Sequence, residues 1–580
     1  MAAADSTRRA TVLALLLWAT PAFAAPPSPL PASSPPAATQ PAASRPAASP
    51  PAASRAPVSP PPSDAQVIVD PEDRGPVAAS QPAGRPPVTA ARSGPRGFTF
   101  HGYLRSSFAL DTKHEGRRAA VRNDPRPVED VMDWRSQAYF RATFRLGPRL
   151  RAVASGWLDH VGNCERPDQP GEEYWVFNGS ACRWAVEPTL GETYVEASLP
   201  RVDLRAGLQV VPWGANELLG PADVINPRDL RQAAGFVDPE TARLPVPAVR
   251  LTVYPASSLL LEALWVPFFV PHRLDLFGSD YAVLGPAAPT RCGTGLCPFD
   301  PRAAERALAD AVDPSLRSRL QPLLVQSRFR DASLGNGAAG ARVVWRPAGF
   351  DLALAYYYGL EQYPTASLDP AAGALLARLF AAPGADGQAA AHELVDRLLA
   401  GQPVYESTFR RFHLAALSAM RPFGPVVLKL DAAWSPRRTL YQRDEVTGSL
   451  GAVDSGVFSF AAGADYTRGD TLLLSLEVYG LRPLVDGARR ASLLYVADAG
   501  LYGLIGLAEW RLLRGDLGLR LYGFCDLGHP GYILGPEVSY RVRDWLTLRL
   551  GGSFFGGEDL SLPGTLRYND QVHVGVKGAW

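Results

Sequence analysis

The stretch QVHVGVKGAW, from Gln571 to Trp580, alternates apolar residues with polar or small ones and ends on an indole. Val572, Val574 and Val576 recur at every second position, which is the period of a β-strand with one face in an apolar medium and the other in a polar one. Such a strand needs hydrogen-bonded partners. The stretch therefore predicts a larger sheet around it.

The same alternation recurs between residues 97 and 580. It is clear in RSQAYFRATFRL (135–146), RVDLRAGLQVV (201–211) and WLTLRLGGSFF (545–555). Eight pairs of such segments are joined by short turns, while mostly long polar connections lie between the pairs. Short turns at one rim and long loops at the other are typical of a bacterial outer-membrane β-barrel.

A first strand near 98–110 and a last one at 571–580 bring the predicted number of strands to about 18, with 16 as the alternative. The predicted fold class is all-β, a transmembrane antiparallel β-barrel with partly helical extracellular loops. Loop helices are predicted at 301–325, 370–380 and 388–400. A large soluble β-sandwich or propeller is the alternative, but it gives no reason for short and long connections to alternate.

Two segments precede the predicted barrel of residues 97–580. Residues 1–24 have the pattern of a secretory signal peptide, with an apolar run, ATVLALLLWA, between paired arginines and small residues. A membrane anchor is the alternative, but about ten residues are well below the ~20 that span a bilayer. Residues 25–96 are predicted to be a Pro/Ala/Ser-rich disordered linker in the periplasm, an inert tether or a cell-wall binder.

Composition excludes several classes of function. The chain has 58 Lys and Arg against 57 Asp and Glu, which does not suggest a nucleic-acid partner. Eight histidines show no pairing with a nucleophile, so neither enzymatic activity nor a cofactor is predicted. Two local disulfides are predicted, Cys164 with Cys182 and Cys292 with Cys297. A metal site at the second pair is the less favoured alternative.

Charged residues occupy the predicted inner face of the barrel. A barrel of 16 to 18 strands is wide enough to hold water, so these side chains are expected either to line a conducting lumen or to brace it by internal ion pairs. Because the two signs nearly balance, they predict no preference for anions or cations. The predicted lumen residues are Arg105, Arg141, Arg145, Glu192, Glu196, Arg205, Asp431, Glu477, Arg520, Glu537 and Arg549.

One connection, LQVVPWGANELLGPADVINPRDLRQ (208–232), is unusually apolar for a surface loop. Burial of its large side chains favours docking against the barrel wall, so the loop from Pro212 to Pro247 is expected to fold into the barrel and narrow it. Asn226 followed by Pro227 predicts a helix start. Packing under the outer loops is the alternative. The candidate constriction residues are Trp213, Asn216, Glu217, Asp223, Asn226, Arg228, Asp229 and Arg231.

The same loop carries a family resemblance. Its Trp-Gly (213–214), Val-Ile-Asn-Pro-x-Asp (224–229) and Leu-Pro-x-Pro (244–247) motifs resemble those of a porin-like family of outer-membrane β-barrels catalogued as a domain of unknown function. The resemblance covers residues 204–269 and implies a pore or an exporter of apolar or amphipathic molecules. Val572, Val574, Val576 and Trp580 also resemble the terminal signal read by the outer-membrane barrel assembly machinery, which implies that machinery as a partner.

These patterns predict an outer-membrane porin-like channel of a Gram-negative bacterium. Its partners would be outer-membrane lipid and a small solute, either selected or passed freely, and a homo-oligomer is compatible with this prediction. The alternative is a structural or adhesive barrel that acts through its long surface loops.

Overall fold

The computed structural model describes residues 97–113, 131–161, 175–176, 186–216, 218, 220–231, 242–273, 275–277, 281, 325–327, 333–381, 384–443, 450–486, 493, 500–558 and 561–580. The predicted signal peptide and linker lie outside these residues. So do all four cysteines of the predicted disulfides, Glu217, and residues 301–324 of the first predicted loop helix.

Eighteen strands form one antiparallel sheet. They are β1 (Gly97–Asp111), β2 (Val131–Arg145), β3 (Leu150–Val161), β4 (Val186–Ser198), β5 (Val202–Gln209), β6 (Val246–Ala256), β7 (Leu259–Val266), β8 (Ala338–Trp345), β9 (Asp351–Leu360), β10 (Arg411–Phe423), β11 (Val426–Arg443), β12 (Leu450–Arg468), β13 (Leu472–Pro483), β14 (Leu501–Leu512), β15 (Leu517–Asp526), β16 (Gly531–Arg543), β17 (Leu546–Gly557) and β18 (Gln571–Ala579). Each pairs with its neighbours in chain order.

The sheet closes on itself through β18 and β1. Val576 lies opposite Ser106, and the pairing runs from Tyr103 to Asp111 of β1. The Trp580 amide donates to the Gly102 carbonyl at 3.0 Å, and the Gly102 amide donates back at 3.2 Å. A Cβ at position 102 would lie 2.8 Å from the Trp580 indole, so the glycine makes room for the ring. The pairing of the last strand with the first closes the sheet and leaves no strand edge exposed. The predicted eighteen-stranded barrel is therefore confirmed.

The two rims differ as predicted. Eight turns of two to five residues join consecutive strands from β2–β3 to β16–β17 along one rim, called here the hairpin rim. The opposite rim, called here the loop rim, carries longer connections, except for the two short ones at 444–449 and 527–530.

The outer face of the barrel is apolar. Val572, Val574 and Val576 of β18 are all exposed, and Leu190 and Leu354 are more than 60% exposed. Most exposed tryptophans lie toward the rims, with Trp345, Trp510, Trp545 and Trp580 near the hairpin rim and Trp134 and Trp265 near the loop rim. Residues that alternate with this outer row face the interior, which is where the polar and charged side chains lie.

One loop-rim connection folds into helices. Helix α1 (Pro370–Ala381) and helix α2 (Ala385–Leu399) confirm the predictions at 370–380 and 388–400. They form a helical hairpin with its own core, in which Leu376, Ala390 and Leu394 are at most 1% exposed. Residues 325–327, 365–368 and 405–408, which belong to two loop-rim connections, form a three-stranded sheet. Among the described residues, no helix is long and apolar enough to cross a membrane.

Candidate functional site

The connection between β5 and β6 turns into the barrel. In this inner segment, residues 210–231, the side chains of Val211, Trp213 and Ile225 are at most 2% exposed. They form one apolar cluster with residues of the inner wall. The wall residues are Val246, Ala248, Leu264, Val266, Ala338, Ala355, Tyr357, Phe412, Leu414, Ala416 and Ala433. These belong to β6–β11, so the segment packs against the inside of those strands, as expected from its apolar composition.

The segment also reaches a second part of the wall. Leu218 is buried in a different apolar cluster. The wall residues of this cluster include Ala461, Leu473, Tyr479, Ile505, Leu507, Tyr522, Ile533 and Phe555. They belong to β12–β17. The inner segment therefore contacts two parts of the inner wall of the barrel.

Asp431 on β11 is the polar anchor of the inner segment. Its fully buried carboxylate accepts hydrogen bonds from the backbone amides of Ala215 at 2.9 Å and Asn216 at 2.7 Å, and from Asn216 Nδ2 at 2.9 Å. Asn216 Nδ2 also donates to the Ala461 carbonyl of β12 at 3.1 Å. Gly214 has φ = 110° and a Cβ there would lie 3.2 Å from the carboxylate. A glycine is therefore needed beside this charge-assisted contact.

Trp213 is held in a slot between β7 and β8. Its Nε1 donates to Glu262 Oε1 of β7 at 2.7 Å. The Arg342 guanidinium of β8 lies 5.7 Å from the ring centroid, and Tyr357 approaches edge-on. A Cβ at Gly340 would lie 2.7 Å from the indole. The slot therefore combines a glycine-sized gap with a carboxylate that satisfies the buried N–H.

Asn226 links the two ends of the loop through its side chain, and the prediction of a helix start at this residue is wrong. Its side chain accepts from the Val211 amide at 2.7 Å and donates to the Leu244 carbonyl at 2.9 Å. A capping asparagine would instead accept from an amide two or three residues downstream. The backbone beyond it is extended, with Arg228 bridging Arg243 and Asp229 bridging Arg273.

Asp223 and His272 fix the next part of the segment. The Asp223 carboxylate contacts Arg228 at 3.0 Å and Arg243 at 2.8 Å. His272 Nδ1 accepts from the Arg228 amide at 2.7 Å, so the ring must present an unprotonated nitrogen. Burial, reinforced by the charge of Arg228, lowers the pKa of His272 to about 3.

Asp229 and Arg231 belong to a second ionic group. Asp229 contacts Arg231 at 2.7 Å, and both Arg231 and Arg273 reach Glu187 of β4. Burial alone would raise the pKa of Asp229, but the charges of Arg231 and Arg273 outweigh it and lower that pKa. Asp223, Arg228, Asp229 and Arg231 of the predicted constriction are therefore paired with one another, with other loop residues or with the wall.

Most of the predicted lumen residues are also paired. Arg141 contacts Glu192 at 3.1 Å, and Arg520 contacts Glu509 at 3.4 Å. Further pairs join Glu196 to Arg205 and Glu477 to Lys429, and the Glu537 carboxylate lies 3.7 Å from His573 Nε2. Arg105, Arg145 and Arg549 occupy inner-face positions of β1, β2 and β17. Internal ion pairs thus account for much of the charge on the wall.

Several important wall residues were not among those predictions. Glu262 holds the tryptophan, and Lys429 contacts both Asp465 at 3.0 Å and Glu477 at 3.3 Å within a buried ionic group. Their sequence signal was a charge at a period-two position between apolar residues, as in LLLEALWV (259–266). That signal predicts that the charged residue faces the barrel interior. It does not predict the partner, because the Trp213 that binds Glu262 lies in a loop that is distant in the chain.

Three solved structures illustrate what the barrel is similar to. Salmonella typhi OmpF in complex with daunomycin matches at 9% identity and a TM-score of 0.36, covering 84% of this chain and 98% of its own. Acinetobacter baumannii OccAB2 matches at 9% and 0.40, covering 83% and 98%. Pseudomonas aeruginosa OpdK with vanillate matches at 10% and 0.38, covering 83% and 98%. Likenesses at this level carry no argument about solutes.

No curated protein matches the chain. A family model described as "Protein of unknown function (DUF1302)" matches residues 153–541, which is more than half of the 580 residues. The matched region includes the inner segment and the strands that hold it. The chain belongs to this family.

Proposed function

We propose that the protein is a porin-like channel that passes small solutes across the outer membrane of a Gram-negative bacterium. The observation that carries this proposal is the combination of a closed barrel, an apolar outer face and a charged inner face. In lipid, every backbone polar group must be satisfied internally, and a closed antiparallel barrel meets that requirement. A soluble barrel would gain nothing from exposing so many large apolar side chains.

The polar interior supports passage of solutes. Arginine and glutamate side chains on the inner wall, such as Arg141 and Glu192, are only partly buried. A barrel of this strand number is wide enough for an aqueous lumen. The inner segment narrows that lumen, since it contacts two parts of the wall. Its apolar residues, beside paired charges, suit small polar or amphipathic solutes.

Other properties follow as parts of the same proposal. Residues 1–24 direct secretion, and residues 25–96 tether the barrel in the periplasm. Val572, Val574, Val576 and Trp580 form the outward row that the assembly machinery reads. The function requires no enzymatic chemistry.

The direct test is single-channel recording in planar bilayers. Purified protein that shifts on gels between boiled and unboiled samples, as a closed barrel does, should give discrete conductance steps. The boiled sample is the matched control and should give none. A gel-shifting sample without conductance would contradict the channel and favour a structural or adhesive barrel that acts through its surface loops.

A further inference from the structure

We propose that Arg205, Arg250 and Arg342 form an oxyanion-binding site in the lumen, which takes the carboxylate or phosphate group of a solute. This inference deepens the proposed channel function and rests on it. Guanidinium groups bind both kinds of oxyanion through paired N–H donors, so the two share one recognition chemistry.

The site lies on two adjacent rows of inner-face residues that cross neighbouring strands. In the first row, Arg151 of β3 lies directly opposite Glu196 of β4, Glu196 opposite Arg205 of β5, and Arg205 opposite Arg250 of β6. The next row toward the hairpin rim joins Asp203 of β5, Thr252 of β6, Glu262 of β7 and Arg342 of β8. The seven charged side chains occupy inner-face positions, because they alternate with outward apolar residues.

The charges on these two rows do not balance, because four guanidinium groups face three carboxylates. Glu196 accepts from Arg151 and Arg205, while Glu262 accepts from Trp213 and contacts Arg342 at 3.4 Å. Asp203 accepts from the Tyr254 hydroxyl at 3.0 Å. Each carboxylate therefore already has a donor.

Arg250 is the arginine that this arrangement leaves without a carboxylate partner. The charged groups that act on it are Arg205 and Arg342, which repel it, and the engaged Glu196 and Glu262. Within the part of the chain that the structure describes, its guanidinium has no hydrogen bond or ion pair. An oxyanion placed between these arginines would relieve their mutual repulsion.

The two rows lie level with Trp213 and just beyond it, toward the hairpin rim. Ala248 and Leu264 pack in the cluster that holds Trp213, and Gly340 lies under its ring. Arg250 lies opposite Leu264, whereas Glu262 and Arg342 are two residues further along their strands in the direction of the hairpin rim, or about 7 Å. A solute that passes the inner segment therefore meets these rows directly.

The buried ionic group of β11–β13 does not compete for the solute. Lys429, Asp465 and Glu477 carry more carboxylates than amines, but their side chains are 3%, 5% and 0% exposed. Arg205 and Arg342 are both 19% exposed. The two rows carry one more guanidinium group than carboxylates and are open to solvent, so their electrostatic steering favours anions.

The test combines binding with ion selectivity. Binding of succinate and of inorganic phosphate to the folded protein in detergent should weaken roughly 10-fold or more in Arg250→Gln, since charge-assisted hydrogen bonds are lost. Arg250→Lys keeps the positive charge but lacks the paired N–H donors of a guanidinium. This variant should bind both anions weakly and retain the anion preference of the channel. Arg378→Gln, in the exposed helical hairpin, removes the same charge far from the two rows and should match wild type.

In bilayers under a KCl gradient, the reversal potential should show anion preference that falls several-fold in Arg250→Gln alone. Equal binding and equal selectivity in wild type and Arg250→Gln would overturn the site while leaving the channel intact. Binding of an anion without any conductance would instead contradict the channel and leave the site standing. Succinate bound much more tightly than phosphate identifies the cargo group as a carboxylate, and the reverse order identifies a phosphate.

Discussion

The inner segment (210–231) and the helical hairpin (370–399) are both connections at the loop rim, yet they are stabilised in different ways. The helical hairpin buries its own side chains, so Leu376, Ala390 and Leu394 form a core within the connection. The inner segment has no core of its own. It buries Trp213 and Ile225 against side chains that belong to the barrel wall.

The polar contacts differ in the same sense. Asp431, which holds the inner segment, is fully buried and bonds to backbone amides. The ion pair that joins the two helices of the helical hairpin, Arg378 with Asp386 at 2.6 Å, has side chains 44% and 59% exposed. A loop inside a barrel therefore depends on specific wall residues, whereas a loop outside can fold from its local sequence.

The largest effect is expected from breaking the Asp431 anchor. Asp431→Ala leaves the amides of Ala215 and Asn216 without acceptors in a buried site, which costs about 2–5 kcal/mol in docking of the inner segment. Hydrogen exchange of residues 212–231 should accelerate by more than 10-fold. Exchange in helix α2 should not change.

Leu394→Ala is the matched change in the helical hairpin, where it opens a cavity worth about 2–5 kcal/mol. It should accelerate exchange in α2 and leave residues 212–231 protected. Faster exchange of both connections in either variant would show that they are not independently stabilised.

Acid should loosen the inner segment more than the helical hairpin. His272 is neutral in the docked state with a pKa of about 3, below its ordinary 6.5. Its contribution to docking is fully present above pH 6.5 and is lost progressively as the pH falls toward 3. The lowered pKa of Asp229 adds a further loss below its ordinary 3.8. Hydrogen exchange of residues 212–231 should therefore rise relative to that of α2 between pH 7 and pH 4.

His272→Gln offers an acceptor to the Arg228 amide without titrating in this range. We expect it to flatten the pH dependence of exchange while keeping protection at pH 7 close to that of wild type. An unchanged pH dependence in this variant would assign the effect to other groups.

The smallest effect is expected from the exposed ion pair. Asp386→Asn removes the partner of Arg378, but solvent screens this contact and both side chains are free to reorganise. Thermal unfolding and exchange of α2 should be indistinguishable from those of wild type. A clear loss of helix protection would mean that the helical hairpin also depends on a specific polar contact.

The sequence predicted what depends on local patterns. Period-two alternation predicted the strands, the short turns predicted the hairpin rim, and the two helices at 370–399 followed from their own composition. Asn226-Pro227 predicted a helix start wrongly, because an asparagine before a proline can either cap a helix or hydrogen-bond two distant parts of a loop. Only the contacts with Val211 and Leu244 distinguish the two roles. Glu262 and Asp431 could be placed on a face of a strand but not assigned a partner.

Narrowing of the lumen by the inner segment is tested most directly by the single-channel conductance of three proteins. They are wild type, a variant with residues 214–235 replaced by a short linker, and a variant with residues 370–399 replaced in the same way. All three must show the gel shift of a closed barrel. We expect conductance several-fold above wild type for the first deletion and close to wild type for the second. An unchanged conductance after removal of residues 214–235 would contradict a constriction by the inner segment.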